Sequence, residues 1–95
     1  TRVSYRQEVA RGPVITDLLI EHGGKRIAIE CRSNVRRDLE KSLISSRIIR
    51  DELKCDKVFI VVPEFDGDLR SALAKEERIC AVELRDLPRE LSKNF

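Results

Sequence analysis

The sequence has little of what marks several common protein classes. Its 95 residues contain no methionine or tryptophan, one tyrosine, three phenylalanines and one histidine. Because aromatic residues are scarce, we do not expect a stacking platform for single-stranded nucleic acid. No apolar run approaches the roughly 20 residues that span a bilayer, and no signal-peptide pattern is present, so we expect a soluble, cytoplasmic protein without a membrane partner. Since the chain begins at Thr1, we expect a processed chain or a domain of a longer protein.

Metal-binding cysteine motifs and nucleotide-binding glycine motifs are also missing. The three cysteines, Cys31, Cys55 and Cys80, are odd in number and widely spaced, with no Cys-x-x-Cys pair. This pattern excludes a disulfide framework and argues against a structural zinc site, so we expect buried thiols. The absence of GxGxxG and GxxxxGK[ST] argues against dinucleotide and P-loop binding.

Charge is abundant, and the two halves of the chain differ in its sign. Residues 1–50 hold eleven Lys/Arg and six Asp/Glu, a net charge of +5, whereas residues 51–95 hold eight and eleven, a net charge of −3. An anionic partner would therefore dock on the first half.

Hydrophobic periodicity predicts a single α/β domain over residues 1–95. Strands 25–32 and 57–62 flank a long amphipathic helix and form a βαβ unit, whose strands should pair in parallel. We expect a mixed sheet with helices on both faces. The predicted elements are helix 4–11, strands 14–21 and 25–32, helix 34–54, strand 57–62, helix 67–78 and strand 79–84, with a helical turn in the tail.

Two sequence patterns support this prediction. "HGG", residues 22–24, supplies the positive-φ residues of a tight hairpin turn. On the long helix seven apolar residues predict one buried stripe. They are Val35, Leu39, Leu43, Ile44, Ile48, Ile49 and Leu53.

The predicted hairpin sets two carboxylates opposite each other. Folding the chain about Gly23-Gly24 pairs positions whose numbers sum to 47, so Asp17 faces Glu30, and Arg32 shares their face of the sheet. Opposite side chains have Cβ atoms roughly 4.5–5.5 Å apart, and like charges there repel. A divalent cation such as Mg²⁺ or Mn²⁺ between the carboxylates would relieve this repulsion.

A second interpretation needs no metal. Asp17 and Glu30 would lie on a solvated sheet face, where Arg26 and Arg32 neutralise them. Against it, Asp17 interrupts the apolar strand "VITDLLI", where an unpartnered carboxylate is costly.

These residues resemble the PD-(D/E)xK nucleases, the restriction-endonuclease-like superfamily. That family carries an Asp on the first hairpin strand and Glu-x-Lys on the second, which correspond to "PVITD" and "IAIECR" here. The resemblance covers about residues 4–62. It implies a three-layer restriction-endonuclease-like fold and metal-dependent hydrolysis of phosphodiester bonds, most plausibly in DNA, with Asp17 and Glu30 as metal ligands. Many members, including archaeal Holliday-junction resolvases, add a Glu from the preceding helix, which corresponds to Glu8.

The sequence departs from the family motif at Arg32, which replaces the lysine. Arginine can hold phosphate and offset negative charge, but it cannot act as a base because its pKa is above about 12. Lys41 on the long helix is a candidate for a migrated lysine. The substitution fits a variant active nuclease. It also fits a catalytically silent domain of the same fold that serves nucleic-acid docking or oligomerisation in a larger protein.

The long helix also carries basic residues that could contact phosphate, Arg36, Arg37, Lys41 and Arg47. The alternative is that they form its solvated side. A homodimer is compatible with the resemblance, although no segment of the sequence indicates a dimer interface. A third hypothesis is a flavodoxin-like signalling domain, whose acidic site would stand at the ends of parallel strands.

Overall fold

The fold is a five-stranded mixed sheet with helices on both faces. The structure, a computed structural model, describes residues 4–11, 14–33, 39–64 and 67–95, with side chains described from residue 16 onward except that of residue 68. The strands are β1 (Ser4–Arg11), β2 (Val14–His22), β3 (Lys25–Cys31), β4 (Lys57–Val62) and β5 (Ile79–Glu83), and the helices are α1 (Leu39–Glu52), α2 (Gly67–Leu73) and α3 (Leu87–Asn94), the last preceded by a 3₁₀ turn, Leu84–Asp86.

The strands lie side by side in chain order. β1, β2 and β3 pair antiparallel, and β3, β4 and β5 pair parallel. The parallel pairing of β3 with β4 across α1 confirms the predicted βαβ unit. Strand β4 is a continuous run of apolar residues after Lys57, as expected of a strand buried on both faces.

The hairpin of β2 and β3 has the predicted register. Leu18 pairs with Ile29 and Ile20 with Ile27, so paired numbers sum to 47. Gly23 and Gly24 have φ values of 58° and 82°, a combination that few residues other than glycine adopt easily and that matches the twist of a two-residue hairpin.

A hydrophobic core lies on each face of the sheet. On one face α1 packs against β2, β3 and β4, and α2 packs against β5. Ile49, Leu53 and Leu69 are buried there with Ala28 and Ile60. On the other face α3 covers a second cluster through Leu87 and Leu91, which contact the group Ile20, Ile27, Ile29, Phe59, Val61 and Val82.

The predicted helix over residues 4–11 is wrong, because this segment is strand β1. It pairs with β2 over its whole length, from Ser4 opposite Glu21 to Arg11 opposite Val14. "SYRQEVAR" contains good helix formers, but local propensity is a weak preference that long-range pairing overrides.

The single buried stripe predicted for the long helix is wrong in part. Ile44 and Ile48 are 47% and 46% exposed, and small Ser42 and Ser46 face the sheet instead. At 3.6 residues per turn, Ile44 and Ile48 project nearly opposite to Ser46.

The helix boundaries also differ from the prediction. Helix α2 ends at Leu73 rather than at residue 78, and residues 34–38 lie outside the described part of the chain. Among the described residues no helix is long and apolar enough to cross a membrane.

Candidate carboxylate site at the end of the hairpin

The structure brings Asp17, Glu30 and Arg32 together. Arg32 Nη2 lies 3.1 Å from Glu30 Oε2, and Arg32 Nη1 lies 3.9 Å from Asp17 Oδ2. The three residues thus form a cluster in which one guanidinium contacts both carboxylates. We call it the carboxylate–arginine cluster.

The hairpin register and the end of β3 position the cluster. Extending the pairing by one residue beyond Leu18 and Ile29 sets Asp17 across from Glu30. There the Asp17 side chain replaces a strand partner, since its Oδ2 accepts the Cys31 N–H at 3.0 Å. Arg32 follows the strand, and its N–H donates to Val61 O at 2.9 Å, which fixes its backbone beside β4.

Burial is very unequal within the cluster. The Glu30 side chain is 3% exposed, that of Arg32 33% and that of Asp17 51%. Glu30 Oε1 is buried and has no hydrogen-bond partner among the described residues. A buried carboxylate oxygen without a partner carries a desolvation cost, and such atoms in folded proteins call for an explanation.

The electrostatics of Glu30 reflect this burial. Desolvation raises the pKa of the Glu30 carboxyl, and the nearby charge of Asp17 adds to the increase. A hydrogen bond with the Thr16 side chain and the positive charge of Arg32 lower that pKa and offset part of the increase. The environment of Glu30 therefore disfavours the ionised form of its carboxyl group, and an added cation would stabilise that form.

In this structure the cation between the two carboxylates is Arg32. This agrees with the second interpretation for Arg32 but not for Arg26, which pairs with Glu21 and donates to Leu53 O. It disagrees with a solvated position for Glu30, which is buried, but not for Asp17, which is exposed. The antiparallel pairing of β2 with β3 removes the basis of the flavodoxin-like hypothesis.

A divalent cation would find two carboxylates here, of which Asp17 is accessible and Glu30 has an unpartnered oxygen. Among the described side chains no group of three or more His, Cys, Asp or Glu could hold a metal ion. The donor set fits Mg²⁺ or Mn²⁺, which take one or two carboxylates and complete their shell with water and phosphate oxygens. Arg32 must leave the carboxylates for such an ion to enter.

Cys31 differs from the expectation of three buried thiols. Cys55 is buried and Cys80 partly so, but Cys31 is exposed. Side chains alternate along β3, so the Cys31 side chain points away from the carboxylates. Because β3 ends at Cys31, no core covers this side chain. Local desolvation and the charges of Asp17 and Glu30 raise the pKa of the Cys31 thiol, although Arg32 lowers it in part.

The other predicted site residues are placed as follows. Glu8 lies in β1 between Gln7 and Val9, whose partners Leu18 and Thr16 flank Asp17, so the register sets position 8 across from Asp17. The side chain of Glu8 lies outside the described part of the chain, as do Arg36 and Arg37 entirely.

The two described basic residues of α1 do not share one environment. Lys41 is exposed in the first turn of the helix. Arg47 donates both Nε and Nη2 to the carboxylate of Glu76, so a partner already occupies its guanidinium. No described contact joins either side chain to the carboxylate–arginine cluster.

The structure shows a second Glu-x-Arg pair, which the sequence analysis missed. Glu83 is buried at the end of β5, and Arg85 Nε lies 2.8 Å from its Oε2. The signal was in the sequence, because Glu83-Leu84-Arg85 repeats the Glu-x-Arg spacing of "ECR" at residues 30–32. Arg85 is 80% exposed, so this pair resembles the cluster in spacing and differs in the burial of its arginine.

Comparison with known proteins gives no match: neither a protein-family model, nor a curated protein, nor a solved structure matches the chain. The carboxylate–arginine cluster therefore has to be interpreted from its own chemistry.

Proposed function

We propose that the protein is a metal-dependent nuclease domain of restriction-endonuclease-like type that hydrolyses phosphodiester bonds, with DNA as the expected substrate. The observation that carries the proposal is the convergence of Asp17, Glu30 and Arg32, with a buried Glu30 oxygen that lacks a partner. Two oxygen ligands beside a phosphate-binding guanidinium are the elements that cation-assisted phosphoryl chemistry requires.

Each residue has a distinct task in this proposal. Asp17 and Glu30 hold Mg²⁺ or Mn²⁺, which when bound polarises a phosphate and lowers the pKa of water. Arg32 binds a phosphate oxygen and offsets developing negative charge, and it takes no part as a base. Glu8 is included through its backbone position opposite Asp17 alone.

The contacts of Arg32 favour a second candidate function. Because its guanidinium already neutralises both carboxylates, the same geometry suits a catalytically silent domain that docks nucleic acid or a partner protein. The two candidates differ in whether a divalent cation displaces the arginine.

Cleavage of labelled substrates tests the proposal. Duplex, single-stranded, flap and four-way-junction DNA, and RNA, are incubated with Mn²⁺ or Mg²⁺, and EDTA is the metal-free control. The wild type is expected to cut at least one substrate, and Asp17→Asn and Glu30→Gln are expected to lose at least about 100-fold in rate, as removing transition-state electrostatics typically does. Asp51→Asn, which alters an exposed carboxylate of α1, should keep the activity.

Mn²⁺ binding measured by calorimetry separates the two candidates. A silent domain should bind Mn²⁺ weakly or not at all, so the absence of Mn²⁺ binding together with no cleavage of any substrate, also in Arg32→Lys, would favour it. Undiminished cleavage by Glu30→Gln would refute the proposed site.

A further inference from the structure

We infer that Arg32 couples the binding of a divalent cation to the binding of a phosphate-like oxyanion at the same site. The guanidinium occupies the two carboxylates and blocks the cation site until a cation displaces it. The displaced guanidinium then binds the anion. The inference rests on the proposed function, because it assumes the cation site at Asp17 and Glu30. It adds how that site is regulated.

The guanidinium and a divalent cation compete for the same two carboxylates. Arg32 Nη2 is 3.1 Å from Glu30 Oε2, and Arg32 Nη1 is 3.9 Å from Asp17 Oδ2. A Mg²⁺ ion would approach its oxygens to about 2.0–2.1 Å. Two positive groups held by the same two carboxylates repel strongly, so entry of the ion requires the guanidinium to leave.

The fold lets Arg32 move while Glu30 stays in place. Glu30 is inside β3 and its side chain is 3% exposed, whereas Arg32 follows the end of the strand and its side chain is 33% exposed. The side-chain Nη1 also donates to Cys31 O at 3.1 Å, a local contact that a rotation breaks without disturbing the sheet. The arginine can therefore swing toward solvent at small structural cost.

The charge of the site changes sign when the cation enters. With both carboxylates ionised, Asp17, Glu30 and Arg32 carry a net charge of −1, which repels an anion. A divalent cation raises the net charge to +1 and frees a guanidinium whose planar fork fits phosphate. Cation binding thus creates the anion site, and by linkage the anion must raise the affinity for the cation by the same factor.

Mn²⁺ titration followed by electron paramagnetic resonance tests the coupling. Free Mn²⁺ is measured in sodium sulfate, which supplies a tetrahedral oxyanion, and in sodium chloride of equal ionic strength, with correction for Mn²⁺ bound to sulfate. For the wild type the Kd for Mn²⁺ should fall at least about 5-fold in sulfate, the lower range of allosteric couplings. Arg32→Met should bind Mn²⁺ more tightly than the wild type in chloride and show no sulfate effect.

Two further variants control the experiment. Arg85→Met removes the arginine of the other Glu-x-Arg pair and should behave like the wild type. Arg32→Lys keeps the charge without the fork, so its sulfate effect should be present but smaller than that of the wild type, and it serves if Arg32→Met does not fold by circular dichroism.

The possible failures are distinguishable. Mn²⁺ binding by the wild type without any effect of sulfate overturns the coupling and leaves the proposed cation site intact. An equal sulfate effect in wild type and Arg32→Met also overturns it, because the anion then acts without Arg32. Absence of Mn²⁺ binding in wild type and Arg32→Met alike overturns the inference and the proposed function together.

Discussion

The stability of the protein should depend strongly on Arg32, because the side chain of its partner Glu30 is 3% exposed, whereas that of Glu83, the partner of Arg85, is 11% exposed. Replacing it in Arg32→Met removes the guanidinium that lies 3.1 Å from Glu30 Oε2 and keeps a side chain of similar length. Glu30 would then lose the guanidinium at Oε2, while its buried Oε1 already lacks a hydrogen-bond partner among the described residues.

The magnitude follows from the burial of the two partners. Removing one member of a fully buried ion pair costs about 3–5 kcal/mol. Because Arg32 is one-third exposed, water can reach the space that it leaves, so we expect a smaller loss of about 2 kcal/mol in the free energy of unfolding. For a domain of 95 residues this lowers Tm by about 8–16 °C.

Thermal and urea unfolding in EDTA at pH 7 measure this loss. Arg85→Met is the matched control, since Arg85 pairs with a glutamate two residues before it but is 80% exposed, and it should cost less than about 1 kcal/mol. In the double variant with Glu30→Gln, most of the Arg32→Met penalty should disappear, because no unpaired charge stays buried. Equal stabilities of wild type and Arg32→Met would refute the claim that Arg32 compensates Glu30.

Three further predictions concern the core, the thiols and the effect of pH. Ile60→Ala should lower the free energy of unfolding by about 4 kcal/mol, whereas Ile44→Ala, the same change at an exposed position, should alter it by less than about 0.5 kcal/mol in urea unfolding. Iodoacetamide should label Cys31 in the folded protein and Cys55 only after unfolding, as judged by mass spectrometry, because Cys55 is buried and burial raises its pKa to about 11. Since burial raises the pKa of Glu30 in the folded state, its protonation favours folding, so in EDTA the Tm of the wild type relative to Glu30→Gln should rise as the pH falls from 7 toward 4.5, and a constant difference would contradict that pKa shift.

The hairpin and the βαβ unit could be predicted because local signals and long-range packing agree there. Gly23-Gly24 fixes the turn, and the alternation of apolar residues on both sides fixes the register at a sum of 47. The same reasoning placed Asp17, Glu30 and Arg32 on one face, which is why the three residues of the cluster could be named from the sequence.

The errors occur where packing decides against local pattern. Segment 4–11 has helix formers, but its pairing with β2 depends on residues outside the segment, from Val14 opposite Arg11 to Glu21 opposite Ser4. On α1 the apolar character of Ile44 and Ile48 suggested burial, whereas close contact of the helix with the sheet uses the small side chains of Ser42 and Ser46. Neither preference can be read from the segment by itself.

The sequence also could not predict which group is the partner of the two carboxylates. The pattern predicts two carboxylates and one arginine on the same face, but it does not say whether the arginine points at the carboxylates or at a substrate. That choice depends on side-chain rotamers of Arg32 and on the depth at which Glu30 is buried, and both arise only when β4 packs beside β3.

Whether the domain is active or silent therefore reduces to a competition between two cations. Suppose that the arrangement in which Arg32 contacts the carboxylates is favoured about 100-fold over the one in which it has left them. An ion with an intrinsic Kd of about 10 μM then binds with an apparent Kd of about 1 mM. This difference is about 2.7 kcal/mol, close to the contribution that we assign to Arg32 in folding. The ratio of Mn²⁺ affinities of Arg32→Met and the wild type in chloride measures this free energy directly. A large ratio makes the domain dependent on an anionic partner to open its site, whereas a ratio near one lets the carboxylates bind the cation on their own.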